Sequence, residues 1–333
     1  MRRRSGNLGP VDLVELDLAS PPAWLDAWHQ LDITTSLETL PGLEPPSASE
    51  SRGEFLSDLA YRRYGLAALD GGTLVGAIAV EESLLEDLDT AYGWLLVGAA
   101  HRRRGVGTTL LGETLDRLRA NGRRRLDSSV RVGSPASAFA TSAGARVTQI
   151  ETPNVLDLAT LDRTSLRPNA QPPSPYVLAS WTDTCPDELV DAFAAAHAAM
   201  DDVPRGDEKH DDWIWTADRV RAHERRWAAL GHTSLTTAAV HEPSGAVAGY
   251  TQLLLTGRPT TAVQEDTGVV RAHRGHGLGL AVKSANLLAL TEHHPTITTV
   301  VTWNAESNSH MLKVNEAFGF RPHSRWEEVT LQF

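Results

Sequence analysis

The chain has 333 residues, too many for one ordinary domain and suited to two. Hydrophobic residues make up 41% and charged residues 22%, a composition able to build packed cores, and no apolar run reaches transmembrane length. A net charge of −11 and a lone cysteine, Cys185, argue against nucleic-acid and anionic-membrane binding, intrachain disulfides and a thiolate metal cluster, and mildly favour a cationic partner.

In chain order, the basic start Met1-Arg-Arg-Arg4 leads into residues 5–10, which offer no apolar signal-peptide core, so a cytoplasmic protein is expected. An Asp70-Gly-Gly72 turn precedes a strand, Thr73-Leu-Val-Gly-Ala-Ile-Ala-Val80. A second apolar strand, Gly93-Trp-Leu-Leu-Val97, runs into the glycine-rich turn Arg102-Arg-Arg-Gly105-Val-Gly107 and then a helix. Residues 126–132 read as the next strand, and a short helix closes on Ala143-Gly-Ala145. Four prolines within residues 163–175 predict an extended, semi-rigid linker.

The second half repeats this order. A helix is predicted over 187–199, followed by an acidic stretch, 200–215, with six acidic residues and two tryptophans. After Pro243-Ser-Gly245 comes the strand Ala246-Val-Ala-Gly-Tyr-Thr-Gln-Leu253, then Thr267-Gly-Val-Val270, then Arg274-Gly-His-Gly277-Leu-Gly279 and a helix. A strand over 298–303 and a short helix ending at Phe318-Gly-Phe320 complete it. Gly76 to Arg102 spans 26 residues and Gly249 to Arg274 spans 25, so the halves read as a tandem repeat of one α/β unit. The expected domains are 1–165, a linker 166–175, and 176–333.

The repeated turn suits an anion. Glycines admit a ligand where a Cβ would stand, and the first helical N–H groups point into the loop. Arg271 and Arg274 add charge. A dinucleotide fingerprint would need a third spaced glycine, but Gly279 is followed by Leu280, Ala281 and Val282; a Walker loop would need Gly-Lys-Ser/Thr. His293-His294 and the His273/His276 pair have no third ligand at metal spacing, so no metal is expected.

Arg-x-x-Gly-x-Gly after an apolar strand, present twice, resembles the GNAT acetyltransferase superfamily, in a tandem layout like that of mycothiol synthase. The resemblance covers most of both halves and is fullest from Val247 to Phe320, where Thr302-Trp-Asn-Ala-Glu-Ser-Asn308 and Met311-Leu-Lys-Val-Asn-Glu-Ala-Phe-Gly-Phe320 are similar to the family's last strand, last helix and closing Gly-Phe. It implies an α/β fold of two tandem GNAT-type domains, each a mixed, mostly antiparallel sheet flanked by helices, and acetyl-CoA or another acyl-CoA as cosubstrate. By resemblance the pyrophosphate meets Arg271, Arg274, Gly275, His276, Gly277, Leu278 and Gly279. Val269, Val270 and Asn304 meet the pantetheine, and Val97, Arg102, Gly105 and Gly107 form the first-half equivalent. Asn308 reads first as a helix cap.

Acetyl transfer to an amine needs a neutral nitrogen, hence a base, because a free amine of the lysine type has a pKa near ~10.4. Glu265 and Asp266 stand near the family's base position; the alternative is a pair of solvated strand-end carboxylates, and His273 is a further candidate. The family's acid tyrosine, four residues before the closing glycine, is here Asn315, which can hydrogen-bond sulfur but not act as an acid. For the acceptor, Asp212, Trp213 and Tyr250 combine acid and aromatic groups suited to a small-molecule or peptide ammonium; the alternative is a solvated loop with its tryptophans turned inward. The first half has Ala140 at the tyrosine position and Gly144-Ala145 as its closing pair, so it is expected to be a degenerate, cofactor-binding or scaffold domain. The activity expected is N-acyl transfer in the second half. A non-catalytic acyl-CoA-binding protein and an O-acyltransferase stay open.

Overall fold

A computed structural model describes residues 11–198 and 211–333. Contacts divide the chain into two compact units, but not at one point: the first comprises the described residues up to Thr148 together with Trp326–Phe333, the second Gln149–Arg325.

The first unit runs β1 (Asp12–Leu16), α1 (Pro22–Thr39), α2 (Ala48–Gly53), β2 (Tyr61–Asp70), β3 (Thr73–Ser83), β4 (Thr90–Val97), α3 (Val106–Ala120), β5 (Arg125–Arg131) and α4 (Pro135–Ser142). The predicted turn joins β2 to β3: Gly71 and Gly72 both take positive φ inside a two-residue loop closed by Asp70 and Thr73. Strands β1 to β4 pair antiparallel. β4 and β5 pair in parallel over Thr90↔Arg125, Ala91↔Leu126 and Tyr92↔Asp127 only. Beyond Tyr92, β4 continues against β3 to Val97, so a gap opens beside β5. α3 lays Val106, Leu110 and Leu118, one helical stripe, onto Leu66, Ile78, Val80 and Leu126.

The second unit runs β6 (Arg146–Asp157), α5 (Arg163–Asn169), β7 (Tyr176–Thr182), α6 (Val190–His197), α7 (Ala217–Ala229), β8 (Thr233–His241), β9 (Ala246–Leu255), β10 (Thr261–Val269), α8 (Leu278–His293), β11 (Thr299–Ala305), α9 (Ser309–Phe318) and β12 (Arg321–Pro322). Its sheet order is β6-β11-β10-β9-β8-β7. β10 and β11 pair in parallel over Thr261↔Thr299, Ala262↔Val300 and Val263↔Val301, then diverge in the same way. Each unit is thus an α/β fold with a mixed, mostly antiparallel sheet flanked by helices, as expected.

The last strand, β13 (Trp326–Gln332), pairs antiparallel with β5 in the first unit, from Trp326↔Arg131 to Gln332↔Arg125. β6, which follows α4 in sequence, pairs instead with β11, from Glu151↔Ala305 to Asp157↔Thr299. Each unit is closed by a strand from the other half of the sequence. The boundaries expected at 165 and 176 therefore move to Thr148 and Arg325.

The expected extended linker also differs. Asp162 caps α5 by accepting from Thr164 N at 3.0 Å, and Leu166, 1% exposed, packs in one cluster with Leu287 and Leu290 of α8. A cap and one buried leucine outweigh the proline signal. Leu166→Ala is accordingly expected to cost about 2–5 kcal/mol in urea unfolding, whereas the same change in a solvated linker would stay within about 0.5 kcal/mol.

Candidate active site

The glycine-rich loop of the second unit is built to admit a ligand. Gly275 and Gly277 take φ of 85° and 71°, Gly277 serving as the N-cap of α8. No heavy atom lies within 4 Å of where a Cβ on either would stand, while Gly279 has Val269 Cγ2 at 3.6 Å. Arg271, Arg274 and His276 are exposed, and the buried Leu278 anchors the helix start. Arg274 is aimed by its Nε donating to Val269 O at 3.0 Å. Unpaired helical N–H groups, the helix dipole and two arginines together suit a pyrophosphate.

The strand leading to the loop supplies a donor on one side only. Val270 N donates to Ala248 O at 2.9 Å, which commits it to the β9 side. Antiparallel pairing alternates, so Val269 turns its N–H away from β9, toward the gap beside β11. Of the two valines expected to meet the pantetheine, Val269 alone has its N–H on that side. The open loop, the diverging strands and this N–H fit the acyl-CoA expected from the sequence.

A β-bulge separates the two candidate carboxylates. The register of β10 against β9 shifts between Gln264 and Thr267, leaving Glu265 and Asp266 inside the bulge. Gln264, buried and overlooked by the sequence reading, holds the bulge: its Nε2 donates to Gln252 O at 2.5 Å and to Thr251 Oγ1 at 3.0 Å. Glu265 is exposed, whereas Asp266 turns inward to Tyr250, whose hydroxyl lies 3.4 Å from its Oδ2. The Tyr250 hydroxyl is in turn 2.8 Å from His197 Nδ1. His197 stacks on Trp215 with ring centroids 3.9 Å apart. Burial, with the charges of His223 and Arg219 adding, holds the His197 pKa well below its ordinary value, so the imidazole is neutral. Its Nδ1–H can then donate to Tyr250, which donates to Asp266. Desolvation raises the Asp266 pKa, the Tyr250 hydrogen bond opposing it in part, although 38% of the side chain stays exposed. A partly exposed carboxylate with a raised pKa is suited to taking a proton. His197 carries no sequence signal, since a histidine in an alanine-rich helix reads as core. The alternative base, His273, has Nδ1 3.0 Å from the Tyr176 hydroxyl.

Asn315 departs from the role expected of it. It is 1% exposed, with Oδ1 accepting from Lys283 Nζ at 2.9 Å and Nδ2 donating to Asn304 Oδ1 at 2.8 Å. Asn154 Nδ2 reaches the same Asn304 oxygen at 3.3 Å. Enclosed in this way, Asn315 cannot face sulfur directly; it acts on the half-buried Asn304. Asn308 caps α9, accepting from Met311 N at 3.3 Å.

Among the acceptor candidates, residues 199–210 lie outside the described residues. Asp212 is exposed and Trp213 half-buried. Tyr250 is fully enclosed, so it supports Asp266 from behind rather than lining an acceptor pocket. Trp215 is turned inward, between His197 and the Arg219 guanidinium.

The first unit keeps the cradle and lacks the rest. Arg102 Nε donates to Val97 O at 3.0 Å, and Gly105 caps α3 at φ 92°. Gly107 packs on the Phe139 ring, at 3.5 Å from where its Cβ would stand. Arg102 is paired with Glu38 at 2.8 Å. Trp94 stands three residues before Val97, where Asp266 stands before Val269; Leu111 and Ala140 take the places of Lys283 and Asn315.

Comparison with known proteins agrees with the fold. A model described as Acetyltransferase (GNAT) family matches residues 26–144. That match falls in the first half, not in the Val247 to Phe320 stretch where the motifs are fullest. No curated protein matches the chain. Among solved structures, the tandem GNAT protein from the clavulanic acid biosynthesis pathway, in its form without AcCoA, is 30% identical, with a TM-score of 0.80 over 97% of this chain and 98% of that one. A GCN5-related N-acetyltransferase from Sphaerobacter thermophilus is 15% identical, with a TM-score of 0.64 over 96% of this chain and 95% of that one. An acetyltransferase described as putative from Pyrococcus horikoshii is 12% identical, with a TM-score of 0.54 over 100% and 93%. The last two share the fold. The first shares it at 30% identity along nearly the whole length of both chains, and on that ground this chain belongs to the GNAT acetyltransferase family, in its tandem form.

Proposed function

We propose that the second unit is an acyl-CoA-dependent N-acyltransferase that moves an acetyl group from acetyl-CoA to the amine of a small molecule or peptide. The observation that carries this reading is Asp266, set by a bulge at the edge of the gap between β10 and β11. Acetyl-CoA supplies an acetyl group already activated as a thioester. The chain's residues do the rest. Arg271, Arg274 and the first N–H groups of α8 hold the pyrophosphate, and Val269 N–H holds the arm in the gap. Asp266 accepts the proton that the amine must lose, and Tyr250 and His197 fix its carboxylate. With Asn315 enclosed, the departing thiolate takes its proton from water, which a thiol pKa near ~8.5 permits. The net negative charge favours a cationic acceptor.

Free-thiol release from acetyl-CoA, measured with a panel of amines and a parallel panel of alcohols, tests the reading. Turnover with amines supports it, and turnover with alcohols alone makes the protein an O-acyltransferase. Tight CoA binding without turnover on either panel makes it a binding protein.

The first unit, with Trp94 and Ala140 at the reactive positions, is read as a cofactor-binding scaffold. Gly105→Asp is therefore expected to leave turnover within about threefold of wild type, a change of under about 0.7 kcal/mol in the barrier. Steady-state rates check this, and loss of activity in Gly105→Asp would place the working site in the first unit.

A further inference from the structure

Lys283 is an oddity of the second unit. It lies on α8, is 1% exposed, and is the sole charged residue among the first thirteen of that helix. Its one hydrogen bond among the described residues goes to Asn315 Oδ1, and the Phe320 ring centroid lies 5.2 Å from Nζ. The equivalent position in the first unit is Leu111, opposite Ala140 rather than Asn315. The polar chain was thus built in one copy and not in the other, at the expense of burying an amine.

The chain has a direction. An ammonium has three donors and no acceptor, so its partner on Asn315 must be the amide oxygen. The Asn315 amide nitrogen then faces Asn304, and Asn304 must meet it with its own oxygen, which also accepts from Asn154. Both donors are spent on that one oxygen. The half-buried Asn304 is left with its NH₂ as the group it can offer, on the stretch of β11 beyond Val301 where pairing with β10 has ended. If Lys283 loses its proton, its lone pair becomes an acceptor and the constraint is released. Asn315 can then turn over, which leaves the longer 3.3 Å contact from Asn154, whose Nδ2 also donates to Thr152 O at 2.9 Å, as the remaining restraint on the Asn304 amide.

We propose that the Lys283 ammonium is a positioning group that sets the Asn304 amide to donate to a carbonyl of the acyl-CoA arm, so that capture of the cofactor depends on the Lys283 proton. This rests on the reading that the second unit binds acyl-CoA. Burial pushes Lys283 down to about 7 and is the sole cause of that shift; no charged side chain on α5, β8, β9 or β10, the elements packed against α8, nor on α9, contributes. The proton is present below that value and lost above it. The exchange thus falls within the physiological range, where an ordinary lysine would stay charged.

The test is CoA affinity by calorimetry at pH 6 and pH 9, for wild type and for Lys283→Met, which is similar in length but cannot donate. His273 and the phosphates of CoA also titrate, but equally in both proteins, so the quantity to read is the ratio of the two affinities. One hydrogen bond is at stake, so wild type should bind up to about tenfold more tightly at pH 6. At pH 9, with both proteins lacking the ammonium, the ratio should approach one. Asn315→Leu, which cuts the chain further along, should give the same pair of ratios and serves if Lys283→Met does not fold. A ratio equal at the two pH values, whatever its size, overturns the proposal, because packing alone does not titrate. Wild type that binds no CoA at all removes the functional reading, and this proposal with it.

Discussion

Gly277→Asp is expected to weaken CoA binding at least a hundredfold while leaving the fold intact. The backbone there has φ of 71°, a region that aspartate tolerates better than most residues, and nothing within 4 Å opposes a Cβ. The left-handed backbone costs an aspartate about 1–2 kcal/mol, too little to unravel a sixteen-residue helix. The larger cost falls on the ligand. Two unit charges 4 Å apart at an effective dielectric near 20 repel by about 4 kcal/mol. Screening at an open loop reduces that, and a residue of about 3 kcal/mol still amounts to two decades in affinity. Calorimetry with CoA, beside an unchanged circular dichroism spectrum, is the measurement. Wild-type affinity in the mutant would mean that the pyrophosphate lies elsewhere.

Asp266→Asn is expected to lower kcat/KM by about 10²–10⁴-fold, the range for removing a positioned base. The substitution keeps the shape of the side chain and its contact with Tyr250, so CoA affinity and melting temperature should hold. The pH profile carries the sharper information. Because desolvation raises this carboxyl above its ordinary value, the wild-type rate should climb with pH along an acid limb lying above the usual aspartate range, as the base form appears. The mutant should lack that limb. Glu265→Gln, altering the exposed neighbour in the same bulge, should stay near wild type. If instead Glu265→Gln is the inactive protein, the roles of the two carboxylates are reversed.

What the sequence reveals here depends on how local the cause is. The two phosphate loops are legible because a positive φ and clearance for a ligand each dictate glycine at a fixed place, and Gly105 and Gly277 answer both demands. The hairpin at Gly71-Gly72 is legible for the same reason. The choice between Glu265 and Asp266 is not, since it turns on a register shift held by Gln264 against a carbonyl of another strand. The His197–Tyr250–Asp266 chain gathers residues from α6, β9 and β10 that share no motif. Lys283 did leave a trace, the sole charge among the first thirteen residues of its helix, and its meaning appears only when Asn315 is set opposite. The partners of β6 and β13 are invisible for a further reason: any strand of suitable alternation satisfies an open edge, and nothing in its own residues says which edge it will find.

That last point reaches back to how the molecule is made on the ribosome. The β5 edge is complete once Arg131 has been translated, yet the strand that covers it begins at Trp326. Through the synthesis of the whole second unit, the earlier one carries an open row of backbone donors and acceptors, the kind of surface that recruits stray strands. Meanwhile β6 has left to wait for β11. The unit made first is therefore the one finished last, and a nascent chain interrupted anywhere before Trp326 releases a first unit without its closing strand.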